Sequence, residues 1–171
     1  VLTSLKEPFH VMARELSIST SIGIATVTST TTAEDLERNA DLALYEAKSR
    51  GKNCWAIFSD DMHSQALTRL STISDLRRAI DNDEVVPWYQ PIVRLDTGEV
   101  VGLEALARWQ HPDRGLVMPG DFVELAEESG LIVPLGRSLM RRALSELAWC
   151  HSAHPSLSGL RLTINLSPRG R

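Results

Sequence analysis

"VVGLEALARW", residues 100–109, sorts by parity. Val101, Leu103, Ala105, Ala107 and Trp109 form a wholly apolar period-2 set, while Val100, Gly102, Glu104, Leu106 and Arg108 form a set that carries an acid and a base. Successive side chains of a strand point to opposite faces. The stretch therefore reads as a strand with one face fit to pack beneath helices and another that presents a carboxylate. Two further segments follow the same rule. In "EVVPWYQPIVRL" Gln90 falls with Trp88, Ile92 and Arg94, and in "LRLTINLS" Leu160, Leu162, Ile164 and Leu166 stand opposite Arg161, Thr163, Asn165 and Ser167.

Two architectures account for this alternation. One is an antiparallel sheet with a face in water, the commoner source of such a pattern. The other is a closed barrel, whose inner face gathers Gln90, Glu104, Arg108 and Asn165 near one mouth. An enclosed carboxylate needs a cation or hydrogen-bond donors to stay charged. Arg108, on the same face, is one candidate partner for Glu104. Alternatively, Glu104 and Asn165 offer oxygens of the kind a hard cation such as magnesium or manganese takes, which leaves Arg108 to hold a phosphate.

Outward from these strands, the pattern is that of a mixed α/β chain. A "DTGE" turn links the first two strands and "HPDRG" closes the second, with His111 as a turn residue. Two helices follow, "GDFVELAEES" ending at Gly130 and "PLGRSLMRRALSELAWCHS" with Leu135, Leu139, Ala143 and Leu147 at i, i+4 spacing. The last strand is then reached by a helical crossover. Upstream, Met62, Ala66, Leu70, Ile73, Leu76 and Ile80 recur every three or four residues with no Gly or Pro between them, so 60–82 is expected to be one unbroken amphipathic helix that transmits orientation between two units.

The first unit reads as a hairpin, a helix and a short strand. In "LSISTSIGIATV" Leu16, Ile18, Ile22 and Ile24 share one face of an expected strand, with "PFHVMARE" as its partner. A Thr-rich turn over 28–32 leads to Thr32 and Asp35, spaced as a capping box. The helix "AEDLERNADLALYEAKSR" carries a stripe of Leu36, Ala40, Ala43, Leu44 and Ala47 and stops at Gly51, and "CWAIF" follows as a strand.

Composition narrows the function classes. With 43% apolar and 23% charged residues among 171 and a net charge of −4, the chain reads as globular and carries no global basic field, so no DNA partner is expected and phosphate would have to be met by a few placed cations. Two distant cysteines, Cys54 and Cys150, make neither a disulfide framework nor a metal-ligand spacing. The cluster of Cys150, His151 and His154 reads as a solvated helix end rather than a zinc site, and Arg137, Arg141 and Arg142 as a wet helix face. No apolar run approaches the ~20 residues of a membrane span, and a cytoplasmic location is expected, any membrane anchor of a parent protein belonging to segments outside this chain. The chain opens at Val1 and stops within a strand-like run, so a piece of a longer protein is expected.

The residues also carry a family resemblance. "YQPIV", then "GLEALARWQHPDRGLVMPGDFVELAEESGLI", then "INLSP" resemble the opening third of the EAL family of cyclic-di-GMP phosphodiesterases, with Glu104-Ala105-Leu106 at the name-giving motif. "SISTSIGIA" and "NADLALYEAKSRGKN" are similar to the C-terminal half of a GGDEF, or diguanylate cyclase, domain. The resemblance implies residues 1–58 as part of a GGDEF-like domain, 59–82 as a helical linker and 83–171 as the first strands and helices of an EAL domain, a modified TIM barrel whose first strand is antiparallel. It implies metal ligation by Glu104 and Asn165, dinucleotide contacts from Gln90, Leu106 and Arg108, the last at phosphate, and Mg2+ or Mn2+ as cofactor. The implied reaction is hydrolysis of one phosphodiester bond to give linear pGpG. Lys48 and Lys52 match cations that face GTP phosphates in active cyclases, although the second is often arginine there; a solvated helix end is the competing account. A parent that is a homodimer is also implied. Such a barrel needs ~250 residues, so the chain alone is expected to be inactive. The alternatives are a non-catalytic cyclic-di-GMP-binding or protein-docking module, and a parent that mainly synthesises the dinucleotide.

Overall fold

A computed structural model describes residues 1–5, 7–12, 14–27 and 32–165, and its packing divides into two units, Val1–Thr68 and Arg69–Arg171. In the first unit, β1 (Phe9–Val11) and β2 (Arg14–Leu16) pair as a tight hairpin, and β3 (Ile22–Ile24) pairs in parallel with β4 (Trp55–Ile57). Between them runs α1 (Ala33–Ser49). Its start is the expected capping box: the Thr32 hydroxyl accepts from the Asp35 amide at 3.1 Å and the Asp35 carboxylate accepts from the Thr32 amide at 3.2 Å. Such a cap contributes ~1 kcal/mol. At the other end Gly51 has φ +105°, a conformation that suits glycine just past a helix. Ala43 and Ala47 on the expected stripe are fully buried and share a small core with Ala56 and Met62.

One expectation fails here. The alternating stretch from Leu16 to Ile24 is two strands in separate sheets: Leu16 ends the hairpin, Ile18 is exposed, and only 22–24 joins β4. Period-2 spacing shows that a segment is extended; it does not say which partner takes it. The choice is made by α1, which crosses β3 so closely that a Cβ on Gly23 would lie 2.1 Å from the Ala40 carbonyl oxygen. The Thr-rich turn over 28–31 lies outside the described residues.

Helix α2 (Asp60–Asp81) is unbroken, as its spacing predicts. Its stripe serves two cores. Met62 belongs to the first, while Leu76 and Ala79, both fully buried, belong to the second with Ile73 and Ile80 packed beside them. Leu67 and Leu70, between these ends, are exposed.

The second unit is a mixed four-stranded sheet with helices on one face. Strand β5 (Val85–Val93) runs antiparallel to β6 (Val100–His111), and β8 (Arg161–Ile164) lies parallel to β6 on its opposite edge. The short β7 (Gly115–Val117), which the sequence reading does not anticipate, turns back on the end of that same edge. Between β7 and β8 come α3 (Val123–Ser129), closed by Gly130 at φ +75°, and α4 (Ile132–Ala153). The parallel partner is thus reached by the expected helical crossover. An all-antiparallel sheet is excluded by the β6–β8 pairing. Leu166 and Ser167, assigned to the last strand by parity, lie outside the described residues.

The apolar set of β6 faces the helices. Trp109 is fully buried among Leu76, Ala79, Val85, Val117, Phe122, Ala126, Leu131 and Leu135, with the Phe122 ring edge-on at 5.8 Å. His111 ends this set and is 7% exposed. Its Nδ1 accepts from the amides of Asp113 and Arg114 at 3.1 and 3.2 Å, which ties the "HPDRG" turn, and its Nε2 stands 3.7 Å from Asp75 Oδ2 on α2.

Candidate active site

The other set of β6 carries the chemistry. Antiparallel register sets Gln90 directly opposite Glu104, Trp88 opposite Leu106, and Val86 opposite Arg108, while the parallel register sets Thr163 beside Glu104. Asn165 follows β8 by one residue and falls on the same face as Thr163. Its Nδ2 donates to Glu104 Oε1 at 2.7 Å. Three residues separated by up to 75 positions in sequence, Gln90, Glu104 and Asn165, therefore meet because β5 and β8 flank β6 at the same level.

Arg108 stands on this face but not beside Glu104. Four residues at ~3.3 Å each put ~13 Å between their backbone positions, and Leu106 stands between them. The reading of Arg108 as the ion-pair partner of Glu104 is corrected accordingly. The guanidinium lies over the Trp88 ring, 5.6 Å from Cζ to the centroid, and Nη1 donates to the Ala107 carbonyl at 2.8 Å. Its Nε is buried without a hydrogen-bond partner.

Glu104 and Asn165 present oxygens of the type a hard divalent cation takes. Asn165 now turns its NH2 toward the acid, and half a rotation about its last side-chain torsion presents the carbonyl oxygen instead. Two such donors fit the cation in kind but fall short of the about six an octahedral ion uses. Among the described residues no group of three or more His, Cys, Asp or Glu is arranged to hold a metal. That includes Cys150, His151 and His154: His151 Nε2 is 3.1 Å from the Leu160 carbonyl, and the His154 ring meets Trp149 edge-on.

In the first unit, Lys48 lies exposed in the last turn of α1 and Lys52 lies exposed at φ +64°, between Gly51 and Asn53, which also have positive φ. Neither forms an ion pair with another described residue; the salt bridge at this helix end is Arg50 with Glu46 at 2.8 Å.

Sequence reasoning missed two contacts of the second unit. The first is Trp88 beneath Arg108, a diagonal cross-strand pair visible only once the register is known. The second braces the sheet from its helix side: the Tyr89 hydroxyl donates to Glu146 Oε2 at 2.6 Å, and Arg142 Nε donates to Glu146 Oε1 at 2.9 Å. Burial and then the bond to Glu146 push the Tyr89 hydroxyl well above its usual pKa. Burial pushes the Glu146 carboxyl up, but the hydrogen bonds from Tyr89 and Arg142 outweigh it and hold the group below its ordinary value.

A mixed sheet with a paired acid and amide at the centre of one face, after a helix that ends a separate α/β unit, agrees with the comparison to known families. Residues 73–170 match the EAL domain, and residues 1–54 match the GGDEF domain of diguanylate cyclases. The chain belongs to the EAL domain family. It is 40% identical over 173 residues to the cyclic di-GMP phosphodiesterase PdeR of Escherichia coli, covering 99% of this chain and 25% of that protein. It is 37% identical over 165 residues to the bifunctional diguanylate cyclase/cyclic di-GMP phosphodiesterase MucR of Pseudomonas aeruginosa, covering 95% of this chain and 24% of the relative. The chain thus spans about a quarter of the length of these relatives. The solved PaMucR phosphodiesterase in complex with c-di-GMP superposes with a TM-score of 0.52 at 38% identity, over 57% of this chain and 38% of that one. No described helix is long and apolar enough to cross a membrane.

Proposed function

We propose that the protein to which this segment belongs hydrolyses cyclic-di-GMP to linear pGpG, and that residues 83–171 supply the first part of its active site. The observation that carries this reading is the meeting of Glu104 with Asn165 at 2.7 Å, opposite Gln90, on the face that the helices leave open. The named activity of relatives such as PdeR and the c-di-GMP bound to PaMucR support the substrate.

In this reading Glu104 and Asn165 would hold Mg2+ or Mn2+, together with ligands from elsewhere in the protein. The bound cation supplies Lewis-acid activation of the phosphodiester and of the attacking water. Arg108 donates to a phosphate oxygen, where its fixed positive charge offsets the charge that builds up in the transition state. Gln90, opposite Glu104, offers both an amide donor and an acceptor to the dinucleotide. Leu106 gives an apolar contact between the two charged positions. Residues 1–58 would form the end of a GGDEF-like domain joined through the helical segment 59–82, with Lys48 and Lys52 as the side chains for GTP phosphate.

Two oxygens do not retain an octahedral ion, so the 171-residue chain alone is proposed to be inactive. The test is to incubate full-length protein with cyclic-di-GMP and Mg2+ or Mn2+, with a chelator control, and to resolve products by ion-exchange chromatography. Linear pGpG, lost on chelation, is expected from the full-length protein and none from the short chain. Metal-dependent turnover by the short chain sinks the claim of insufficiency. Tight binding by the full-length protein with no product replaces hydrolysis by sensing.

A further inference from the structure

We infer that Trp88 is a positioning residue for Arg108, its indole holding the guanidinium in place without neutralising it; this rests on the reading of Arg108 as a phosphate ligand. The two side chains come from neighbouring strands, offset by one pair, on the face that carries Glu104. A diagonal offset is within reach of an aromatic and a long side chain, and Cζ stands 5.6 Å from the ring centroid, inside the ~6 Å range of a cation–π contact.

What surrounds Arg108 makes the contact informative. Among the described residues no carboxylate pairs with it; Nη1 is spent on the Ala107 carbonyl and Nε has no acceptor. Other arginines of this chain are tethered by acids, for example Arg142 by Glu146 and Arg78 by Asp75. A carboxylate tether fixes a guanidinium but competes with phosphate for the same donors, whereas an aromatic face restrains the group through the ring quadrupole and leaves its charge and remaining donors for an anion. Trp88 itself is 48% exposed and belongs to neither of the two buried clusters.

The experiment uses full-length protein, steady-state kinetics on cyclic-di-GMP, and four forms: unsubstituted, Trp88→Leu, Arg108→Ala, and both substitutions together, with Trp88→Tyr as the conservative control. Loss of a partly exposed cation–π restraint corresponds to roughly three- to tenfold. Trp88→Leu is therefore expected to raise KM by that factor with kcat within about twofold, Trp88→Tyr to restore KM, and Trp88→Leu to add nothing once Arg108 is alanine. An equal rise in KM in both backgrounds overturns the inference, because Trp88 then acts on substrate or fold directly. Ring-current displacement of the Arg108 Nε–H resonance reads the same contact without turnover. It is expected to collapse in Trp88→Leu and to persist in Trp88→Tyr; an Arg108 signal indifferent to both overturns the inference even if the substrate assignment stands. Absence of any cyclic-di-GMP binding or turnover by the unsubstituted protein, with the resonance behaving as expected, removes the substrate assignment and leaves Trp88 holding Arg108 for a different anion.

Discussion

The two faces of β6 are made of alternate residues of one strand and are held in opposite ways. Ala105 and Trp109 are held by volume: both are buried, and Trp109 shares one core cluster with side chains from three helices and two neighbouring strands. Glu104 and Arg108, on the other side, are held by directional contacts, an amide hydrogen bond in one case and an aromatic face with a backbone carbonyl in the other. Loss of volume is therefore expected to cost most on the packed face, and loss of charge at constant shape to cost most on the open one. One strand thereby fixes a carboxylate by anchoring the residues that flank it.

The sharpest way to break this division is to attack the packed side. Trp109→Ala removes the largest fully buried side chain of the second unit and is expected to cost about 3–5 kcal/mol of stability, read as a fall in the urea midpoint of the full-length protein with the loss of cyclic-di-GMP binding in step. Retained stability would show that the face is not packed as described.

Next in size is the open side. Glu104→Gln keeps shape and a hydrogen-bonding group but loses the charge, so turnover is expected to drop by about 100-fold or more, ~2.7 kcal/mol of barrier, with the thermal midpoint shifted by less than ~2 °C. If turnover survives, Glu104 is a structural hydrogen-bond partner of Asn165 and no more.

The smallest effect belongs to the brace between them. Tyr89→Phe deletes the bond to Glu146 and is expected to cost about 0.5–1 kcal/mol, the low end for a partly exposed pair. The Glu146 carboxyl is lowered by folding, so its contribution is complete above the unfolded value near 4.5 and is lost as pH falls through the lower folded value. The Tyr89 hydroxyl is raised, so its contribution is complete below the unfolded value of 10.0 and is lost as pH rises through the raised one. Urea unfolding of both forms from pH 3 to 8 should therefore show a gap that is constant above about pH 5 and narrows toward pH 3. A gap independent of acid would assign the loss to packing rather than to the Glu146 bond.

Much of this was legible in residue order. The capping box at Thr32, the stops at Gly51 and Gly130, the unbroken helix over 60–81 and the parity of β6 all follow from local rules, because each depends on neighbours within about four positions. Parity also selected Gln90, Glu104 and Asn165 as sharing one kind of face. Failures came where a partner was remote. The division of Leu16 to Ile24 between two sheets depended on α1 crossing Gly23, and β7 was too short to show a period.

Residue order alone settles which side of each strand is apolar, where helices begin and end, and which polar residues are available to a site. Their neighbours come from the folded packing: Asn165 at Glu104, Arg108 at Trp88 rather than Glu104, and Tyr89 at Glu146. The reason is physical. Alternation along a strand is set by the backbone of each residue, but register is set by the whole ladder and by the packing on its far face, and a shift of two residues would keep every face assignment while changing every pair.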